Sequence, residues 1–416
     1  MYTVLFLRKF AAANDNELQL MKLYLFNPDS DLALANNEEN YMAPASARRM
    51  AQDLALLPVW YAQPGSAVLA PSAYNADFLK QMKEYFPLQV QLVTEPELPD
   101  YAEAQIMPWG WNPALRKRLL KGGILERKLP TLQTLAEYRP LSSRIQTVCL
   151  TEVIRCSHPE YTCGSHYLIE TMACCKLVVK EMHTCLLKAP WSGSGKGLNW
   201  CRHGFTKSLA DWCERVIKEQ GCLLVEPIYN KVEDFAIEFY SDGQGKILFV
   251  GYSLFSTNEH GAYTGNILIS DKRMEEWVEQ YVPLPELIRI RERLQNCLAT
   301  IYGNTYTGYL GVDMMVCRSN GEHKYVIHPC VEINMRMNMG IVSRFFYDRF
   351  VPSGHTGRFN IEYFPTNEAL RSQHEQDMRE YPLIIEDGKL ISGYLPLVPI
   401  TPKSRYRAFV EVMPQV

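Results

Sequence analysis

Strand-like and helix-like segments alternate along the first third of the chain, and this alternation restricts the fold more than any other sequence feature. The strand-like segments KLYLFN, SAVLAPS, LQVQLVT and AQIMPW begin at residues 22, 66, 88 and 104. Segments with helical character, among them PASARRMAQDLALL and NADFLKQMKEYF, separate them. Such alternation predicts a small, mainly parallel sheet with helices on its faces. We therefore expect an open α/β domain over residues 21–140.

Two of the predicted strands run directly into polar residues. Residues 27–31 read NPDSD after the first strand, and residues 109–112 read WGWN after the fourth. Ligands of open α/β sheets bind outside the carboxyl ends of the strands, so both segments are candidates for substrate binding. Asn, Asp, Gly and Pro are also the ordinary residues of turns. Both interpretations remain open at this point.

Composition narrows the class of partner. The 416 residues are too many for one ordinary core and predict two or three domains. A formal net charge of -3 gives no reason to expect a nucleic-acid or membrane surface, and a small-molecule partner fits better.

The twelve cysteines form neither a CxxC pair nor a ladder with histidine, which favours a reducing, cytoplasmic compartment. Residues 1–20 are expected to be an extension outside the native fold, and a homodimer is an open option.

A glycine-rich loop follows a short apolar run at residues 186–197, LLKAPWSGSGKG. A strand that ends at Lys188 holds an ammonium group at a fixed point. Gly193, Gly195 and Gly197 let the following backbone close over an anion with its N–H groups pointing inward. The pattern indicates a phosphate site, although a flexible surface turn has the same composition. Pro190 and Gly197 exclude a Walker loop, and Leu198 excludes a dinucleotide fingerprint.

Acidic and amide side chains recur near the end of a predicted hairpin, GVDMMVCRSNGEHKYVIHPCVEINMR. Asp313 lies in its first strand. Glu332, Asn334 and Arg336 follow at i, i+2 and i+4 in the second, and they project from one face if that strand stays regular. Hard oxygen ligands and a guanidinium suit a magnesium–phosphate site. A solvated strand face is the alternative interpretation.

These motifs, taken in their order along the chain, resemble the ATP-grasp superfamily. The resemblance covers roughly residues 140–345 and implies an ATP-grasp fold of two α+β lobes after a pre-ATP-grasp-like α/β domain. The implied lobes are residues 141–225 and 226–345, and a β-rich appendage is expected over residues 346–416. The fold class is therefore α/β and α+β, with several domains.

The resemblance also implies a role for each candidate residue. The candidates for nucleotide contact are Arg144, Lys188, Ser192, Gly193, Ser194, Gly195, Lys196, Gly197, Glu226, Glu233 and Asp234. Glu226 resembles the hinge beside the adenine, and either Glu233 or Asp234 resembles the acid that binds the ribose. The implied Mg²⁺ or Mn²⁺ ligands are Asp313, Glu332 and Asn334. Arg336 and Lys188 are the implied catalytic residues.

The function implied by the resemblance is an ATP-dependent ligase. Such an enzyme phosphorylates a small carboxylate and lets an amine or another nucleophile attack the acyl phosphate. A small-molecule kinase and a nucleotide-binding regulatory module without turnover are the alternatives. His260, Tyr263 and Asn266, in the polar segment HGAYTGN, are candidates for substrate contact.

Overall fold

A computed structural model describes residues 21–192, 197–258 and 261–413. These residues divide into two compact units. The first unit contains the described residues up to Leu135, the segment Thr264–Asp271 and the chain from Arg336 onward; the second contains Ala136–Tyr263 and Lys272–Met335. None of the helices in the described ranges is long and apolar enough to cross a membrane. The domain bounds expected at residues 140, 225 and 345 stay predictions.

The described strands and helices follow one another in a mixed α/β order. The strands are β1 Lys22–Leu25, β2 Ser66–Leu69, β3 Val90–Val93, β4 Gln105–Pro108, β5 Tyr167–Ile169, β6 Cys185–Lys188, β7 Leu198–Cys201, β8 Leu223–Pro227, β9 Lys231–Asp242, β10 Ile247–Thr257, β11 Tyr263–Leu268, β12 Thr307–Arg318, β13 Tyr325–Asn334, β14 Thr356–Tyr363, β15 Ile384–Glu386, β16 Lys389–Pro396 and β17 Tyr406–Met413. The helices are α1 Ser30–Asn36, α2 Ala45–Asp53, α3 Ala76–Tyr85, α4 Pro113–Lys121, α5 Leu132–Leu141, α6 Ile145–Ser157, α7 Met172–Met182, α8 Lys207–Gln220, α9 Asp271–Glu279, α10 Leu284–Tyr302, α11 Met339–Phe350 and α12 Asn367–Glu380.

A parallel sheet forms the N-terminal part of the first unit. Its order is β3-β2-β1-β4, and every neighbouring pair is parallel. Leu23 and Leu25 of β1 are buried with Leu115 and Leu119 of α4 in one apolar cluster. The alternation of short apolar strands with amphipathic helices therefore produces the α/β arrangement that the sequence predicts, and that prediction is confirmed.

The C-terminal part of the first unit is an antiparallel set of strands in the order β11-β14-β17-β16-β15. It packs against the N-terminal part of the same unit. The Trp60 indole N–H donates to the Leu397 carbonyl at 2.7 Å, and its ring contacts those of Phe346 and Phe350 at centroid distances of 5.4 and 5.6 Å. The segment after residue 345 thus supplies both strands and aromatic core to this unit.

The second unit contains two antiparallel groups of strands. The smaller sheet has the order β5-β8-β6-β7. Helices α7 and α8 cover one of its faces, where Cys185 and Leu187 of β6 are buried among their apolar side chains. Because side chains alternate along a strand, Leu186 and Lys188 project from the opposite face. The larger group has the order β13-β12-β9-β10 and contains both hairpins that the sequence predicts.

Candidate active site

A buried ion pair joins Lys188 to Glu226 in the second unit. The Lys188 Nζ lies 2.6 Å from the Glu226 Oε1, and the two side chains are 4% and 3% exposed. Strand register explains the contact, since Leu186 of β6 lies directly opposite Glu226 of β8 and Lys188 is two residues further along the same face. Lys188 also donates to the Val331 carbonyl at 3.4 Å. The lysine therefore connects the smaller sheet to β13.

Two histidines lie beside this ion pair. His166 immediately precedes β5, whose pairing with β8 brings the His166 Nε2 to 3.2 Å from the Glu226 Oε2. His328 of β13 is fully buried. One ligand atom from each of His166, Glu226 and His328 lies within 4.8 Å of the others.

The neighbouring charges fix the protonation states of the buried groups. Burial alone would raise the pKa of Glu226, but the Lys188 ammonium and the contact with His166 hold this pKa at about 2. Burial lowers the pKa of His328 to about 3, although the negative charge of Glu226 opposes the shift. At neutral pH Glu226 is therefore a carboxylate and His328 a neutral imidazole.

The depressed pKa of His328 predicts a loss of stability on mild acidification. In the unfolded chain His328 takes up a proton as the pH falls below 6.5, its ordinary pKa. In the folded chain the same imidazole stays neutral until about pH 3. This group alone should lower the free energy of unfolding by about 2 kcal/mol between about pH 7 and pH 5. Urea unfolding at both pH values, with a chelator present, should show a smaller decrease for His328→Phe than for the wild type. Equal decreases in the two proteins would contradict the assignment.

Arg144 connects the glycine-rich loop to the Glu332 carboxylate of β13. It precedes α6 and is buried, with 5% of its side chain exposed. Its guanidinium donates to the Ala189 carbonyl at 2.9 Å, to the Ser192 hydroxyl, and to the Glu332 Oε1 at 2.7 Å. Arg144, the loop residue Ser192 and the acid Glu332 therefore meet at one point of the second unit.

The predicted metal ligands lie together on two paired strands. Asp313 of β12 is directly opposite Glu332 of β13, and the Asn334 amide N–H donates to the Asp313 Oδ2 at 3.1 Å. Directly opposed residues of an antiparallel pair share a face and have Cβ atoms about 4.5–5.5 Å apart. Two carboxylates at that spacing repel each other, and the Arg144 guanidinium, 2.7 Å from the Glu332 Oε1, offsets part of this repulsion.

Strand register distinguishes the two candidates for the ribose acid. Asp234 of β9, Met315 of β12 and His328 of β13 form one cross-strand row. Glu332 lies opposite Asp313, two residues from Met315, so it shares that face of the sheet. Glu233 belongs to the next row and projects from the other face. Asp234 is thus the acid on the face that carries Glu332, where it accepts from the Thr257 hydroxyl at 2.8 Å and pairs with Lys231.

Arg336 lies beyond the regular strand. Strand β13 ends at Asn334, and the chain enters the first unit at Arg336. There the Arg336 Nε donates to the Asp31 Oδ2 at 2.7 Å, with side chains 17% and 22% exposed. Asp31 belongs to the polar segment that follows β1. Arg336 is therefore held at the carboxyl edge of the parallel sheet.

Comparisons with known proteins bear on the fold. No family model matches the sequence, and no curated protein matches it. Among solved structures, a biotin carboxylase–β,γ-ATP complex from Campylobacter jejuni is similar with a TM-score of 0.51 and 12% identity, over 96% of this chain and 89% of that one. Biotin carboxylase is an ATP-grasp enzyme. The protein has the ATP-grasp fold.

Two further ATP-grasp structures are similar at lower TM-scores. N5-carboxyaminoimidazole synthetase from Staphylococcus aureus, complexed with ADP, gives 0.47 with 10% identity over 94% of this chain and 93% of that one. The biotin carboxylase domain of 2-oxoglutarate carboxylase from Hydrogenobacter thermophilus, in complex with MgADP, ADP and bicarbonate, gives 0.49 with 13% identity over 96% and 87%.

The remaining candidate residues lie partly outside the described ranges and partly on strand β11. Gly193, Ser194, Gly195, Lys196 and His260 lie outside the described residues. Tyr263 begins β11, and burial raises the pKa of its hydroxyl well above the usual value. Asn266 is buried in the first unit, where β11 pairs with β14. Nucleotide contact by the four loop residues and substrate contact by His260, Tyr263 and Asn266 stay predictions.

Sequence reasoning missed the two histidines beside Glu226. His328 occurs in the middle of an apolar strand, YVIHPCV, where a titratable residue is unusual. A histidine inside an apolar strand was therefore the sequence signal that could have identified His328. His166 gave none, because it lies in a polar segment and its neighbourhood depends on the pairing of β5 with β8.

The close approach of Gly110 to Ser30, at the carboxyl edge of the parallel sheet, predicts that a larger residue at position 110 would disturb the packing. A Cβ on Gly110 would lie 2.6 Å from the Ser30 Oγ and 3.3 Å from the Arg336 Cβ. We expect Gly110→Ala to lower the free energy of unfolding by about 1–3 kcal/mol, because an added methyl group displaces its neighbours. Urea unfolding should be compared with that of Gly321→Ala, where the nearest atom is the Ser319 Oγ at 3.2 Å. Equal stability of the two variants would contradict the prediction.

Proposed function

We propose that this protein is an ATP- and Mg²⁺-dependent ligase that activates a small carboxylate as an acyl phosphate for attack by an amine or another nucleophile. The observation that carries the proposal is the contact of Arg144 with both Ser192 and Glu332. It links the glycine-rich loop to the acidic strand pair within one unit. The ATP-grasp fold supports ATP as the phosphoryl donor.

The buried cations are suited to the phosphates of ATP. In the proposal Lys188 and Arg144 contact the α- and β-phosphates, and the loop from Ser192 to Gly197 covers them. Both cations are buried and already paired with carboxylates, so they are held in position before a nucleotide binds. Glu226 lies beside the adenine, and Asp234 is our choice for the ribose contact because it shares a sheet face with Glu332.

The donor set on β12 and β13 fits a magnesium ion. Carboxylates from Asp313 and Glu332 and the amide of Asn334 are hard oxygen donors, which Mg²⁺ prefers, and Mn²⁺ accepts the same ligands. The opposed carboxylates also give the local negative charge that a dication requires. When bound, the ion would neutralise charge on the ATP phosphates. These three residues would hold it.

The reaction requires little covalent chemistry from the protein. A carboxylate oxygen of the substrate attacks the γ-phosphorus, and ADP leaves. The nucleophile then attacks the acyl carbon, phosphate leaves, and the proton lost by the nucleophile is taken up by the departing phosphate or by solvent. Cations that balance the charge on the transferring group stabilise such a step. We assign that role to Arg336, with Lys188 as the second catalytic cation.

Three residues are proposed to contact the acceptor substrates. His260, Tyr263 and Asn266 remain our candidates for contact with the small carboxylate or the nucleophile. We also propose that the enzyme acts in the cytoplasm, with a homodimer as an open option for its assembly. Neither proposal affects the assignment of the nucleotide site.

A substrate screen tests the proposed reaction. Purified protein with ATP and Mg²⁺ should release phosphate only when both a suitable small carboxylate and an amine or other nucleophile are present. Equal amounts of ADP, phosphate and joined product are expected. Accumulation of a stable phosphorylated product without phosphate release would contradict the ligase assignment and indicate a kinase. Nucleotide binding without any turnover would indicate a regulatory module.

A further inference from the structure

The strongest unassigned feature is the cluster formed by His166, Glu226 and His328. The three residues come from different parts of the second unit: the segment before β5, strand β8 and strand β13. Their ligand atoms lie within 4.8 Å of one another, and the His166 Nε2 is 3.2 Å from the Glu226 Oε2. The His166 and His328 rings meet edge to face, with centroids 5.4 Å apart. The side chains therefore converge on a single point.

Burial makes this convergence informative. The His166 and Glu226 side chains are 1% and 3% exposed, and His328 is fully buried. Within the described part of the chain, neither ring nitrogen of His328 has a hydrogen-bond partner. Buried polar groups in native proteins are nearly always satisfied by protein, water or a bound ion. A buried imidazole with two unsatisfied nitrogens thus points to a ligand.

The chemistry of the donors selects the kind of ligand. Two imidazole nitrogens and one carboxylate oxygen suit Zn²⁺ and related transition-metal dications, whereas Mg²⁺ prefers oxygen donors only. Ligand atoms around a tetrahedral zinc ion are about 3.3 Å apart, given bonds of about 2.0 Å. The distance of 3.2 Å between His166 and Glu226 already matches this value. A small side-chain movement would bring His328 to the same distance.

Lys188 sets a condition on such a site. Its ammonium group pairs with the Glu226 Oε1, so the Oε2 is the oxygen that can bind a metal. The lysine and the glutamate cancel each other's charge, so a dication would bring an uncompensated positive charge into a buried position. An anionic fourth ligand, such as hydroxide or chloride, would reduce that charge. The metal should therefore bind with an anion rather than alone.

We propose that His166 Nε2, Glu226 Oε2 and one ring nitrogen of His328 form a binding site for a Zn²⁺-class dication. This site is separate from the oxygen-ligand site on β12 and β13, and the proposal does not depend on the ligase assignment. Because Glu226 also pairs with Lys188, metal loading should alter the environment of a proposed nucleotide contact.

Metal titration of the full chain tests the proposal. Chelator-treated protein, free of nucleotide and Mg²⁺, should be titrated with Zn²⁺ by calorimetry and with Co²⁺ by visible absorption. We expect one tight equivalent, with tetrahedral Co²⁺ bands and no thiolate charge-transfer band. His166→Gln should weaken binding at least tenfold, and His166→Gln/His328→Phe should abolish the tight equivalent. Thermal unfolding and circular dichroism should verify that each variant is folded.

Two control variants test whether the tight Zn²⁺ equivalent binds at this cluster and not at other side chains of the protein. His323→Gln removes a histidine of the same unit that stacks on Tyr161, and it should leave Zn²⁺ affinity unchanged. Glu332→Gln alters the proposed magnesium site and should also retain the tight equivalent. Failure of the wild type to bind more Zn²⁺ than the double variant would overturn the proposal. Equal loss of binding in Glu332→Gln would overturn it as well, whether or not ligase activity is found.

Discussion

Replacing Lys188 with methionine is expected to lower the free energy of unfolding by about 3–5 kcal/mol, because it leaves a fully buried carboxylate without its partner. Glu226 is 3% exposed, and the Lys188 ammonium offsets the burial that would otherwise raise its pKa. Methionine keeps most of the volume of the lysine stem, so the loss of charge dominates the effect. Urea unfolding of the full chain, followed by tryptophan fluorescence, measures the change.

A double variant separates the charge from the packing. In Lys188→Met/Glu226→Gln the buried carboxylate becomes a neutral amide of the same shape, so at least half of the lost stability should return. ATP affinity should not return, because both variants lack the buried cation that is proposed to contact the phosphates. We expect at least roughly tenfold weaker ATP binding in each variant. If the double variant is no more stable than Lys188→Met, the unpaired carboxylate is not the cause of the destabilisation.

The local sequence pattern was sufficient to predict the elements that carry the site. Alternating apolar residues and glycine-containing turns predicted both hairpins of the second unit, and the structure has them as β9–β10 and β12–β13. The apolar run ending at Lys188 became strand β6. These predictions succeeded because a period of two along a strand already fixes which side chains share a face.

Contacts between distant residues could not be predicted in the same way. Arg144 and Glu332 are 188 residues apart in sequence, and Arg336 and Asp31 are 305 residues apart. No local pattern specifies such pairs, since they depend on how separate elements pack. The uncertainty between Glu233 and Asp234 has the same origin. Only the pairing of β9 with β12 distinguishes the two faces on which these neighbours lie.

Glu332→Gln is expected to reduce Mg²⁺-dependent ATP turnover by roughly 10²–10³-fold. Glutamine can still accept the hydrogen bond from Arg144, so the buried guanidinium stays oriented and the stability should decrease by only about 1 kcal/mol. The variant removes the negative charge that, with Asp313, would hold the metal ion. The turnover rate should therefore be measured over a range of Mg²⁺ concentrations, where partial recovery at high Mg²⁺ is expected.

Glu362→Gln is the matched control for this substitution. Glu362 also pairs with a buried arginine, Arg407, at 2.6 Å, but it belongs to β14 of the first unit and to no part of the proposed site. The Glu362→Gln variant should lose about as much free energy of unfolding as Glu332→Gln, and it should keep the wild-type turnover rate and Mg²⁺ dependence. A loss of turnover confined to Glu332→Gln would then follow from the missing charge on β13 and not from a weakened arginine pair. If Glu332→Gln instead shows the same Mg²⁺ dependence as the wild type, the assignment of the metal site to β12 and β13 is wrong.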